Sequence, residues 1–214
     1  MSTTNGKGSI SAYRFAGATG YARRNMAWYA AMFPEGPVLD VGAGRGYFLE
    51  ALAARDVEAV GIDISEEAAA EGRRVGVEIL VEDAFSYLPG RTDLAGIYLS
   101  HVIEHLDPQR ADELLRLAMH SLRVGGTMVI VTPNPGDWLT MSHIFWLDPT
   151  HVRPYPIALI GAMLEAAGFS VEASGLRKLQ LGRRRIPATM LNRLRHGGQY
   201  GRGEAWIRAR RTAP

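Results

Sequence analysis

From residue 37 to residue 176, short apolar runs alternate with longer stretches of helical periodicity. PVLDVG (37–42) is apolar, preceded by Pro and closed by Gly, and predicts a short buried strand. YFLEALAARD (47–56) predicts a helix and VEAVGIDI (57–64) a second strand. SEEAAAEGRR (65–74) predicts a helix with Ser65 as N-cap and acids in its first turn. VEILVED (77–83) and LAGIYLS (94–100) read as the third and fourth strands. DPQRADELLRLAMHSLR (107–123) predicts a helix capped by Asp107, with Pro108 at its first position. GGTMVIVTP (125–133) follows as a fifth strand opened by a glycine turn, and PIALIGAMLEAAG (156–168) as a helix ended by Gly168. FSVEASGL (169–176) and EAWIRARR (204–211) are two further strands.

Strand and helix in alternation imply an α/β fold: parallel strands joined by crossovers, with helices on both faces. The last two strands lack a clean crossover helix, although 187–196 has the makings of a short one. They are expected to pair as an antiparallel ribbon at the sheet edge. Residues 13–33 are expected to be helical in their second half, so the chain divides into an N-terminal helical segment (1–34) and one domain (35–214). A length of 214 residues suits a single domain with a real core.

With no cysteine in the chain, disulfides, thiolate zinc sites and a cysteine nucleophile are excluded. The first ten residues have no apolar core and no run approaches the roughly 18 apolar residues of a membrane span, so a cytoplasmic location is expected. Charge is unevenly spread. Residues 1–176 carry 13 Lys+Arg against 21 Asp+Glu, whereas 177–214 carry 11 basic residues and one acid, Glu204. The basic stretch, 177–211, is either a surface for an anionic partner or a solvated counterweight to an acidic body.

The chemistry starts at VLDVGAGRGYF (38–48), where Gly42, Gly44 and Gly46 follow a strand and open a helix. Glycines there allow a sharp bend and close approach of backbone to a ligand at the carboxyl end of the strands. The spacing is not the dinucleotide G-x-G-x-x-G, since the third glycine comes one residue early and Tyr47 stands where that pattern wants Gly. Asp40, two residues before the first glycine, would repel a pyrophosphate and attract an ammonium or sulfonium. Asp63 ends the second strand, where an acid can accept from both ribose hydroxyls. In EDAF (82–85), Asp83 could accept from an adenine amino group, the Ala84 amide could donate to the ring, and Phe85 or Ile64 could cover its face.

These residues resemble the class I S-adenosylmethionine-dependent methyltransferases over roughly residues 35–176. VLDVGAGRG is similar to the family's glycine loop, GIDIS to its ribose acid, EDAF to its adenine contact, and LSHVIEHL (99–106) to the segment after the fourth strand in the small-molecule branch. The resemblance implies S-adenosylmethionine as cofactor, held by these residues together with Ser100. It also implies a Rossmann-like seven-stranded sheet in the order 3-2-1-4-5-7-6 with an antiparallel last strand.

The acceptor is approached by elimination. Methyltransferases of base amino groups in this superfamily carry an Asn/Asp-Pro-Pro-aromatic motif after the fourth strand, where this chain reads SHVIEH. Base C5 methylation in the usual manner needs a cysteine. A hydroxyl oxygen on a small molecule or glycan remains, and it benefits from a general base. His101 and His105 flank the rim after the fourth strand, with Glu104 beside them to orient a partner; His101 is a candidate base as well as a structural residue. SHIFWLDPTHVRPYP supplies His143 and His151 as the favoured bases, the two left open against each other, together with Trp146 as a flat surface for a sugar and Asp148 and Arg153 as acceptor contacts. DPTH-x-RP after the fifth strand is similar to that of bacterial methyltransferases of sugars, glycolipids and polysaccharides. Some sugar enzymes use Mg²⁺, for which Asp148, Glu104 or Asp137 would be the oxygen ligands, but no defined metal signature is present.

Two rival readings stand beside an O-methyltransferase of a sugar or other small hydroxyl compound. One is an RNA-acting enzyme tracking phosphates with the basic stretch, although nucleic acid is the less favoured partner; its binding would fall steeply with salt. The other is a non-catalytic cofactor-binding module. IPATMLNRL (186–194) has the pattern of an amphipathic helix suited to a second subunit, which leaves a homodimer open.

Overall fold

The computed structural model describes residues 19–177 and 203–212. The strands are β1 (Val38–Val41), β2 (Ala59–Asp63), β3 (Ile79–Val81), β4 (Leu94–Ser100), β5 (Leu122–Pro133), β6 (Phe169–Arg177) and β7 (Glu204–Arg211). They form one sheet in the order β3-β2-β1-β4-β5-β7-β6. The first five are parallel, and β7 runs antiparallel to both β5 and β6. The helices are α1 (Thr19–Ala30), α2 (Tyr47–Ala53), α3 (Glu66–Val75), α4 (Ala84–Tyr87), α5 (Pro108–Ser121) and α6 (Ile157–Ala166). The order is the one the resemblance implies, and β7 enters between β5 and β6 rather than beyond them.

Alternation along the central strands sends side chains to two cores. Leu39, Val41, Ile97, Leu99, Met128 and Ile130 join Leu114 and Leu115 of α5 and Ile160 and Leu164 of α6 on one face. Val38, Tyr98, Val129 and Val131 join Tyr29 of α1 and Phe48 and Leu52 of α2 on the other. Tyr98 and Phe48 stack at 3.9 Å between ring centroids. The strands are apolar on both faces because helices cover both.

Local chemistry sets the element ends. Asp107 caps α5 by accepting the Arg110 N–H at 2.8 Å, and Gly76 ends α3 in the left-handed conformation that glycine adopts without a Cβ penalty. Ser65 occupies the N-cap of α3 as expected but makes no side-chain cap hydrogen bond; its own N–H donates to Asp63 Oδ1. Two boundaries differ from the periodicity. β5 starts at Leu122, ahead of the glycines, since buried Leu122 pairs with Leu94 and the ladder shifts register before Gly96 and Thr127. The segment after β5 is wound, into a π turn (Thr140–Ile144) and a 3-10 turn (Phe145–Leu147), where the sequence reads as loop. Among the described residues, no helix is long and apolar enough to cross a membrane. The expected helices at 187–196 and 186–194, and the basic residues between 178 and 202, lie outside the described residues.

Candidate active site

The ends of β1 and β2 form a glycine-lined cradle. Gly42, Gly44 and Gly46 all have positive φ, at 71°, 54° and 73°. At Gly42 a Cβ would also sit 2.6 Å from the Val102 side chain, so both backbone and space require glycine. The Gly44 N–H donates to Asp63 Oδ2 at 2.9 Å, while Asp63 Oδ1 accepts the Ser65 N–H at 2.9 Å. Asp63 therefore ties the loop to the β2–α3 turn, and each oxygen keeps a lone pair for a further donor.

Asp40 is the unusual group in the cradle. It is 3% exposed, and among the described residues its carboxyl has no hydrogen-bond partner. Burial, and secondarily the Asp63 charge, push its pKa up to about 8. A buried acid with no hydrogen-bond partner among the described residues, beside a loop shaped for close backbone approach, fits a cationic ligand group. The cradle thus passes a chemical test for a nucleoside carrying an ammonium or sulfonium.

Farther along the rim the residues are partly engaged. Asp83 Oδ1 caps α4 by accepting the Phe85 N–H at 2.8 Å, and Ala84 opens that helix. One face of Phe85 is covered by the Arg110 guanidinium, 3.3 Å from the ring centroid. Ile64 is 78% exposed just past β2, an apolar side chain open for a flat ring. Ser100 ends β4.

The turn after β4 is built around Glu104, whose side chain is wholly buried. Its Oε1 faces His101 Nδ1 at 3.0 Å and its Oε2 accepts the Thr132 hydroxyl at 3.2 Å. His101, at φ 56°, also reaches Glu204 of β7 at 3.4 Å through Nε2. Burial pulls the imidazole pKa down, but the bonds to Glu104 and Glu204 and their charges prevail and push it up to about 10. Both ring nitrogens are engaged by acids and the ring is protonated near neutrality, so His101 does not suit a general base. It is a clamp between the β4 turn and β7.

Glu104 also anchors the DPTHVRP segment, its carbonyl accepting the N–H of Val152 at 2.8 Å and of Arg153 at 3.3 Å. Within that segment Asp148 Oδ1 accepts from the Thr150 N–H at 2.9 Å and hydroxyl at 2.6 Å. Burial raises the Asp148 pKa, but these bonds and the neighbouring histidines outweigh it and hold it below the ordinary range. The Thr150 oxygen faces His105 Nδ1 at 2.8 Å, and His151 Nδ1 faces the Phe145 carbonyl at 2.6 Å. The rings of His105 and His151 lie 4.7 Å apart, and Phe145 tilts over His151 at 4.3 Å.

Other expected residues fall elsewhere. His143 lies exposed on the π turn and, among the described residues, makes no hydrogen bond or ring contact. Trp146 is 62% exposed, with its indole N–H donating to the Met141 carbonyl at 2.7 Å. Arg153 lies over Tyr155 at 4.9 Å and lines an open cavity of about 350 Å³ between α5 and α6. Asp137 is buried and accepts from the Thr140 hydroxyl at 2.5 Å. Asp137, Asp148 and Glu104 do not assemble as an oxygen site; among the described residues the donors that converge are those of Glu104, His105 and His151. Part of the basic stretch serves the fold. Arg208 and Arg210 pair with Glu172, Arg211 donates to the Met119 carbonyl at 3.0 Å, and Arg177 stacks over Trp28 and Tyr29. Thr132, Thr150 and Glu204 were not among the expected site residues. Only Thr150 had a local signal, as the residue two after an Asp in a turn.

Residues 17–174 match a family of methyltransferase domains. No curated protein matches the chain. A structure of an S-adenosylmethionine-dependent methyltransferase from Archaeoglobus fulgidus is similar at 27% identity and a TM-score of 0.76, covering 94% of this chain and 98% of that one. The 1,6-didemethyltoxoflavin-N1-methyltransferase of Burkholderia thailandensis, solved with its substrate and S-adenosylhomocysteine, is similar at 19% identity and a TM-score of 0.63, covering 90% of this chain and 79% of that one. An S-adenosylmethionine-dependent methyltransferase from Mesorhizobium loti is similar at 17% identity and a TM-score of 0.66, covering 91% of this chain and all (100%) of that one.

Proposed function

The chain belongs to the methyltransferase domain family, and from that premise we propose that it is an S-adenosylmethionine-dependent O-methyltransferase acting on a hydroxyl of a sugar, oligosaccharide or other small molecule, with His151 as general base. The observation that carries the oxygen acceptor is the state of His151. Its Nδ1–H is spent on the Phe145 carbonyl at 2.6 Å, so in the neutral ring the lone pair lies on Nε2, available to take a proton. Among the described residues His143 has no partner of this kind to hold its tautomer or its ring.

The cofactor supplies an electrophilic methyl group on a sulfonium centre. Asp40, ionised on binding, would face the cationic end of that ligand, Asp63 would accept from its ribose, and Asp83, Ala84, Phe85 and Ile64 would enclose its base. The DPTHVRP segment, hung from the Glu104 carbonyl, holds His151 in place. Holding the acceptor oxygen in near-attack geometry is the larger contribution, and removal of its proton by His151 adds to it. Exposed Trp146 offers a face on which a sugar ring can rest.

From its size and its DPTH-x-RP stretch we infer that the chain resembles the methylmannose polysaccharide 1-O-methyltransferase, which makes mannosides the first acceptors to test. The Burkholderia neighbour methylates a nitrogen, but at 19% identity the likeness bears on the fold alone. Labelled methyl transfer is measured into mannosides, glucosides, phenols and RNA, each with and without EDTA. Label in a sugar hydroxyl that disappears in His151→Ala supports the reading. Label only in RNA overturns it.

A further inference from the structure

We propose that Glu104, His105 and His151 form a binding site for a divalent transition-metal ion, with Zn²⁺ the ion its chemistry fits best. One donor atom from each residue lies within 4.8 Å of the others. What fits the cluster to a metal is where its protons are held. The Thr150 hydroxyl has one proton and gives it to Asp148 at 2.6 Å, so its oxygen accepts from His105 Nδ1–H at 2.8 Å. The Phe145 carbonyl can only accept, so His151 Nδ1 carries the proton of that 2.6 Å contact. In the neutral rings both Nε2 atoms therefore bear lone pairs, and among the described residues neither has a hydrogen-bond partner. Two imidazoles and a buried carboxylate thus converge from two stretches of chain, the Glu104–His105 turn and the DPTHVRP segment.

Imidazoles that hold a metal are commonly oriented through the other ring N–H by a carbonyl or carboxylate, and both kinds of support are present here, the carboxylate acting through Thr150. Two imidazoles and a carboxylate suit a borderline ion such as Zn²⁺, whereas Mg²⁺ and Ca²⁺ prefer all-oxygen sets. Glu104 already serves His101 and Thr132, but each of its oxygens has a second lone pair. Three protein ligands leave a fourth position open. The consequence for catalysis rests on the function proposed above: an ion on His151 Nε2 occupies the lone pair the base needs, so filling the site inhibits methyl transfer and chelation restores it.

The full chain, freed of metal by a chelator, is titrated with Zn²⁺ by calorimetry and with Co²⁺ by visible absorption. One ion per chain and the intense ligand-field bands of tetrahedral Co²⁺ are expected. Affinity should fall at least tenfold in His105→Ala and in His151→Ala, and about tenfold in Thr150→Val, which keeps the donor atoms of all three ligands and removes the hydroxyl that links His105 to Asp148. His120→Ala, on the far surface of α5, controls for adventitious binding, and circular dichroism with thermal melting checks each fold. Absence of Co²⁺ bands in the unaltered chain, or equal binding in both cluster variants, overturns the site. Transfer unaffected by saturating Zn²⁺ overturns the inhibition. Metal-free transfer is measured in parallel: transfer without a metal site refutes only this inference, whereas a metal site without transfer to any hydroxyl refutes the proposed function.

Discussion

Replacing Asp40 by Asn tests the cofactor assignment through its pH dependence. Burial and the Asp63 charge place the Asp40 pKa at about 8 in the ligand-free chain, against 3.8 for an ordinary aspartate. The folded state therefore holds a proton that the unfolded state releases, and this group's contribution to stability declines as pH rises from about 4 to about 8. A cationic ligand needs the carboxylate. Ionising Asp40 one unit below its pKa costs about 1.4 kcal/mol, so binding at pH 7 is weakened about tenfold relative to the ionised site, and at pH 6 about a hundredfold. Affinity for S-adenosylmethionine should climb close to tenfold per pH unit up to about 8. It should then turn over as the ligand's α-amino group, with an ordinary pKa of about 8, loses its own charge. Calorimetry in buffers of different ionisation enthalpy should show about one proton released per ligand bound near pH 6.5. In Asp40→Asn the slope and the proton release should both vanish, with weaker binding at pH 8. A wild-type affinity that is flat between pH 6 and 8, or a slope that survives in Asp40→Asn, would refute the assignment.

Other consequences are direct. Asp63→Ala removes the acceptor of the Gly44 N–H as well as the expected ribose contact, so cofactor affinity should fall at least about tenfold by equilibrium dialysis. Gly42→Ala meets both a positive φ and a contact at 2.6 Å from the Val102 side chain, and should destabilise the chain by at least about 1–2 kcal/mol in a urea titration; unchanged stability would mean the loop adopts another conformation. His151→Asn should lower kcat by roughly 10²–10⁴ while cofactor affinity holds, and His143→Asn should lower it far less; the reverse order would transfer the role of base to His143. Activity on a neutral sugar acceptor should change little between 50 and 200 mM salt, whereas a fall of about 10³ or more would favour a phosphate-tracking basic stretch.

The alternation of apolar runs made the sheet, its helices and their order along the chain legible, because burial on two faces imposes a pattern that each segment carries locally. The glycine loop and its flanking acids were legible for a similar reason, as the turn that follows β1 needs glycine whatever packs around it. The histidines were not. Nothing local distinguishes His101 from His151, and both were reasonable bases. His101 is held in its protonated form by the carboxylates of Glu104, three residues away, and of Glu204, which β7 delivers from 103 residues further on. At His151 a wound turn presents the Phe145 carbonyl to Nδ1 and holds a proton on that nitrogen. The sequence by itself determined the periodicities, the turn chemistry and the kinds of group available at the rim. Which group holds a proton and which is free to take one was decided only by tertiary structure, because charge and hydrogen bonding act through space between strands that are neighbours in the sheet and distant in the chain.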